Sequence, residues 1–241
     1  MVGAYWRGDA VAFLISGIAA SSWALLRAGM LLASARRRRA MAKAADEKRQ
    51  WLERPCNTRI KWVASAFAGD LTELRLRAKT VARELGPSSI DELSSLLHAE
   101  HSPPSELQKN FPRLGEWITA RHFAIFEVLY NMGPASIPTL KRVAFGQYDW
   151  IQGNAIEVLC RMAADGNSSE EIIADLIAHL PMVREEAQIY ALGPLLQQSE
   201  TIPALQKVLK RLQVVPEFRD NYDYVHRDSQ KPSRGQMLPE N

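Results

Sequence analysis

The chain has 241 residues, 46% of them hydrophobic, with a formal charge of +3 and two cysteines. The charge is unevenly spread: residues 1–50 carry nine Lys or Arg against three acids, whereas residues 51–241 carry 21 against 24, so the larger part is not a general binder of polyanions. Cys56 and Cys160 lie far apart and suit a reducing compartment better than a disulfide framework, and the length suffices for one well-buried domain.

Behind a short segment, 1–9, residues 10–35 (AVAFLISGIAASSWALLRAGMLLASA) contain a single charge, Arg27. The uninterrupted run from Ala10 to Leu26 is about 25 Å long as a helix, the short end of what crosses a bilayer, and continuing to Ala35 gives ample length. Arg27 costs roughly 2.5 to 3.5 kcal/mol at the centre of such a helix, less if it snorkels, and its apolar neighbours outweigh it. Residues 10–35 are therefore predicted to form a transmembrane helix. Arg36, Arg37, Arg38 and Arg39, followed by Lys43, Lys48 and Arg49, face only Arg7 and Asp9 on the other flank, so these arginines set the topology and keep the following domain cytoplasmic. Ala33-Ser34-Ala35 has the form of a signal-cleavage site, but four arginines directly behind it oppose translocation. A helix lying in the interface would need a charged face, which Arg27 alone does not make. Gly17, Ala20, Ser21, Ala24 and Ala28 form a small-residue stripe where a second helix could approach, which leaves homo-oligomers open; the ordinary composition of such segments accounts for the stripe equally.

Residues 36–57 read as a charged juxtamembrane helix or linker, ended by Pro55. Residues 58–119 read as a helical cap or degenerate repeat. There Ile60, Val63, Phe67, Leu71, Leu74, Val81 and Leu85 recur at helical spacing, with a break at Gly69-Asp70 and a stop at Gly86-Pro87. Ser89 with Glu92 three positions on predicts a capping box for a short helix, and the prolines of 101–112 predict a loop. Helices then follow at 121–132, 136–146, 152–164, 169–180 (with Ser168 and Glu171 as a cap pair), 183–197 and 201–212. Pair starts at 121, 152 and 183 recur every 31 residues. Ser136-Ile137-Pro138-Thr139-Leu140-Lys141-Arg142-Val143 matches Thr201-Ile202-Pro203-Ala204-Leu205-Gln206-Lys207-Val208, and Ala124 to Leu129 matches Ala155 to Leu159 with one insertion. Pro138 and Pro203 fit only a helix's first turn, so they mark two helix starts.

On these residues the stretch 120–213 resembles HEAT-type helical repeats, whose second helix often opens with a Gly-Pro turn and an Ile-Pro-x-Leu stretch. The Asp and Arg that such pairs place between their helices have Asp149 and Arg184 as nearest counterparts. The expected fold is all-α: an N-terminal transmembrane helix followed by an irregular α-solenoid of about three HEAT-like helix pairs plus the preceding helices. Residues 214–241 are polar and aperiodic and predict a disordered tail, in which Tyr222, Tyr224 and Val225 could dock onto a neighbour.

Chemistry is sparse. His98 and His101 lack a second ligand cluster and sit at a helix end before Pro103-Pro104; no phosphate loop, paired-Cys motif or nucleophile elbow occurs. Glu170-Glu171 and Glu185-Glu186 open predicted helices, where the dipole favours acids. Cys160, among Val158, Leu159 and Met162, reads as a buried apolar residue. No catalytic, cofactor-binding or metal-ligating residue is predicted. Arg36 to Arg39 could also serve a nucleic-acid arm, but the repeat region is not basic and no aromatic residue interleaves the arginines. The expectation is a single-pass membrane scaffold or adaptor whose repeat groove binds another protein, with Tyr148 and Trp150 between the first two pairs as contact candidates, core packing accounting for Trp150 equally. Two competitors stand beside it. The bilin lyase family also resembles HEAT repeats and acts on cofactor-bearing proteins, which would imply an enzyme or enzyme subunit. A membrane-disrupting effector would act through residues 10–35.

Overall fold

A computed structural model describes residues 30, 33–43, 55–67, 71–99 and 102–229. All regular structure among them is helical. The chain divides into two compact units, Met1–Arg54 and Pro55–Asn241. In the first, residues 33–43 are helical, and most of the predicted span 10–35 lies outside the described residues. Among the described residues no helix is long and apolar enough to cross a membrane.

The second unit contains ten helices among the described residues: α1 (Pro55–Ala64), α2 (Leu71–Leu85), α3 (Ile90–Leu97), α4 (Leu114–Asn131), α5 (Ile137–Phe145), α6 (Gln152–Ala164), α7 (Ser169–His179), α8 (Glu185–Ser199), α9 (Pro203–Leu212) and α10 (Pro216–Ser229). The middle helix is α6, which touches α4, α5, α7, α8 and α9 and buries every residue from Gln152 to Ala163. Next to it, α4 packs against α1, α2 and α3, and α8 packs against α9 and α10. The row α4, α6, α8 is thus covered by its neighbours, and Ile125, Leu129, Ile156, Leu159, Leu192 and Leu195 are fully buried. Close packing of α6 on α8 depends on Gly153: a Cβ there would lie 2.8 Å from the Ala187 carbonyl oxygen and 2.8 Å from the Tyr190 ring.

One device recurs along the row. The carbonyls that end a helix lack intrahelical partners, and here a buried side chain from the next inner helix supplies them. Arg121 Nη1 and Nη2 of α4 donate to Ala99 O (2.8 Å) and Leu96 O (3.4 Å), and His122 Nε2 lies 2.7 Å from Leu97 O, all at the end of α3. Gln152 Nε2 of α6 donates to Ala144 O and Gly146 O at the end of α5. Gln188 Nε2 of α8 donates to Leu180 O and Val183 O behind α7, both at 2.9 Å. All four residues are buried; these bonds offset part of the cost of burying them, while Arg121 Nε and His122 Nδ1 have no hydrogen-bond partner among the described residues.

Several local expectations are corrected. Pro55 opens α1, as a residue without an amide hydrogen can in a first turn, and residues 44–54, where the helix expected before it would end, lie outside the described residues. The helix expected from 121 starts seven residues earlier, at Leu114, where Trp117 is fully buried. Neither serine cap forms: the Ser89 hydroxyl donates to Leu85 O at the end of α2, and Ser168 sits in the left-handed region (φ 46°) with no side-chain cap bond. The segment expected to be disordered from 214 is helical over Pro216–Ser229. Phe218 is fully buried, Val215 is buried, and Asn221 Nδ2 donates to Gln188 Oε1 (3.2 Å), so α10 closes over α8. Residues 230–241 lie outside the described residues.

Candidate functional site

The C-terminal halves of α4 and α6 form the floor of a groove of about 420 Å³. Arg75, Leu76 and Lys79 of α2 line one side, and Gln198, Ile202 and Leu205 of the α8–α9 corner line the other. An adjoining lobe of about 590 Å³ shares Arg75, Glu127 and Gln198 with it and reaches Phe123, Glu157 and Pro194. The volumes match those of ordinary ligand sites.

The floor holds charge. Arg161 of α6 is 9% exposed and bonds Glu127 of α4 in bidentate fashion, Nη1 to Oε1 at 2.6 Å and Nη2 to Oε2 at 3.1 Å. Its guanidinium also lies 3.6 Å from Glu157 Oε1 and 4.1 Å from the centre of the Tyr130 ring. The Tyr130 hydroxyl donates to Asp165, and burial first, then that bond, pushes its pKa up to about 12. Burial alone would lower the Arg161 pKa, but the Glu127 carboxylate overrides burial and raises it. Glu157 shares its carboxyl with Gln198 Nε2 (3.0 Å); burial raises its pKa against the pull of Arg161 and Gln198. Glu127 and Glu157 thus face one arginine from two neighbouring inner helices, and each occupies the same place in the matched segments Ala124 to Leu129 and Ala155 to Leu159. A charged residue inside an apolar helical run, repeated one pair later, was the signal for this site; neither acid had been singled out.

Tyr148 and Trp150 lie elsewhere. They precede α6, whereas the groove sits at its far end, about 20 Å along the helix axis. Both rings are about half exposed, and neither is unsupported: the Arg184 guanidinium lies 4.2 Å above the Tyr148 ring, and Trp150 sits 4.5 Å from the His122 ring. Asp149 Oδ2 is 3.3 Å from His98 Nδ1, so Asp149 and Arg184 engage His98 and Tyr148 respectively and form no ladder with each other. These contacts tie the loop before α6 to the loops before α4 and α8. His122 is buried, which lowers its pKa to about 4.

Arg36, Arg37, Arg38 and Arg39 are all exposed on the helix 33–43. Successive helical residues are turned by about 100°, so four in a row encircle the axis over about 4.5 Å of its length. No group of three or more His, Cys, Asp or Glu among the described residues could hold a metal ion. Cys160 is fully buried, and burial pushes its thiol pKa up to about 12, as suits an unreactive side chain. No family model matches the chain, and neither does any curated protein or solved structure.

Proposed function

We propose that the protein is a membrane-anchored cytoplasmic adaptor whose irregular α-solenoid of HEAT-like helix pairs holds another protein. The observation that carries the reading is the recurring cap: Arg121 with His122 in the middle of α4, Gln152 at the start of α6 and Gln188 in the first turn of α8 each secure the end of the preceding outer helix. A device repeated at each step belongs to stacked helical units, and such stacks offer grooves to partner proteins. The groove on α4 and α6 supplies the surface, with Leu76 61% and Ile202 39% exposed at its edges. Tyr148 and Trp150 form a second contact zone at the opposite end of α6.

The anchor half of the proposal rests on residues 10–35 and the arginines behind them. An encircling set of four arginines suits a helix rising steeply from the bilayer, where all four reach headgroups at one depth, and suits a helix lying flat less well. The test is carbonate extraction of membranes from cells that express the full chain, followed by affinity purification. Retention in the pellet with one stoichiometric partner protein is expected. Recovery in the supernatant, or the absence of any stoichiometric partner, contradicts the proposal. Alanine at both Tyr148 and Trp150 tests the second zone; unchanged partner capture by a folded double variant removes it.

A further inference from the structure

The charges lining the groove are not equally committed. Glu127 is held by both ends of the Arg161 guanidinium, and Asp165 accepts from Tyr130. On the α2 side the cations are open: Arg75 reaches Glu127 Oε1 only at 3.6 Å with about half its side chain exposed, and Lys79 makes no ion pair among the described residues. Arg75 and Lys79 are one helical turn apart, so they stand side by side. Leu76, between them in sequence, and Ile202 across the groove expose apolar surface, with Leu205 below. A guest that completes this lining brings negative charge to α2 and an aliphatic side chain to the gap between Leu76 and Ile202.

We propose that the groove between α2 and the α8–α9 corner takes an acidic, leucine-bearing segment of the partner protein, its carboxylates on Arg75 and Lys79 and its leucine between Leu76 and Ile202 over Leu205. The assignment rests on the adaptor reading and deepens it. A protein segment fits better than a small anion because the two cations and the apolar pair lie apart along an open groove, and its acidic part stays on the α2 side, since Glu157 and Glu200 line the second lobe past Gln198. Charge complementarity of this kind sets specificity and association rate, and it weakens with salt.

The test uses the full chain in phosphatidylcholine nanodiscs and three fluorescein-labelled dodecapeptides with leucine at every fourth position and Asp, Asn or Lys between. Fluorescence anisotropy is expected to show binding of the Asp peptide alone, weakened by added salt. Lys79→Glu and Arg75→Glu should each weaken it about fivefold or more. Ile202→Asp should weaken it comparably. All three positions are exposed, and unchanged circular dichroism of each variant separates lost contact from lost fold. Equal binding of the Asn or Lys peptide, survival of Asp-peptide binding in Lys79→Glu with Arg75→Glu, or no binding of the Asp peptide overturns the proposal. Displacement of the peptide by octanoate at equal concentration would also overturn it, by assigning the groove to a small anion. A partner that copurifies with Lys79→Glu as well as with the natural chain sinks this groove and leaves the adaptor reading standing.

Discussion

At the residue scale, the cluster of Glu127, Glu157 and Arg161 separates two kinds of buried acid. Glu127 neutralises a nearly buried guanidinium through two bonds, so Glu127→Gln leaves the Arg161 charge without its closest partner and should cost about 3 kcal/mol of stability in denaturant unfolding. Glu157 has a raised pKa and needs mainly an acceptor for Gln198; Glu157→Gln preserves one and should cost less than about 1 kcal/mol. The reverse order would show that Glu157, not Glu127, carries the neutralising charge. His122 makes a second prediction. Its folded pKa of about 4 lies below the ordinary 6.5, because burial disfavours the imidazolium and Arg121 and His98 add to this, while the Leu97 carbonyl and Asp149 oppose it. The unfolded chain therefore binds the proton first as pH falls. The stabilising contribution is whole above pH 6.5 and is lost between there and about pH 4, at most about 3 kcal/mol. Measured from pH 7.5 to 4.5, unfolding free energies of His122→Asn should fall less steeply than those of the natural chain; equal slopes would remove His122 as the cause.

At the element scale, the helices most legible from sequence were those with both a period and a stop. The range read for α6, 152–164, matches the structure because Gly166 takes φ 89° and the Asn167 amide donates to Met162 O, a turn that Asp165-Gly166-Asn167 announces. Pro138 and Pro203 likewise sit in the first turns of α5 and α9. What failed depended on tertiary partners. The start of α4 was obscured because its buried polar residues, Arg121 and His122, answer to the end of α3 and break the local apolar pattern. Helix α10 has few apolar residues, and only its docking on α8 through Phe218 and Asn221 supplies a buried side. The acids of the groove were hidden for the same reason: their meaning is the arginine they share across two helices. Gly153 tests this scale directly. Gly153→Ala improves helix propensity by about 1 kcal/mol in isolation, but its methyl meets the Ala187 carbonyl and Tyr190 and must push α6 from α8. A net loss of about 1 to 3 kcal/mol in thermal or denaturant unfolding is expected. A gain would show that the two helices are not tightly apposed.

At the scale of the whole molecule, the two compact units carry different physics. The first concentrates positive charge behind an apolar run, and the second is an all-α body whose repeated caps and central α6 hold an open groove. In the proposed reading, an anchor joined to a binding surface raises the local concentration of that surface at the bilayer, which strengthens capture without any new contact. The most direct measurement is photo-crosslinking in intact cells from a photoreactive residue placed at Leu76, on the groove edge, and from another at Lys207, an exposed position of α9 that does not line the groove. The account predicts a discrete product with one membrane-fraction protein from position 76, absent from position 207 and lost when Lys79→Glu is added. The same pattern of products from both positions, or products unaffected by Lys79→Glu, would contradict it.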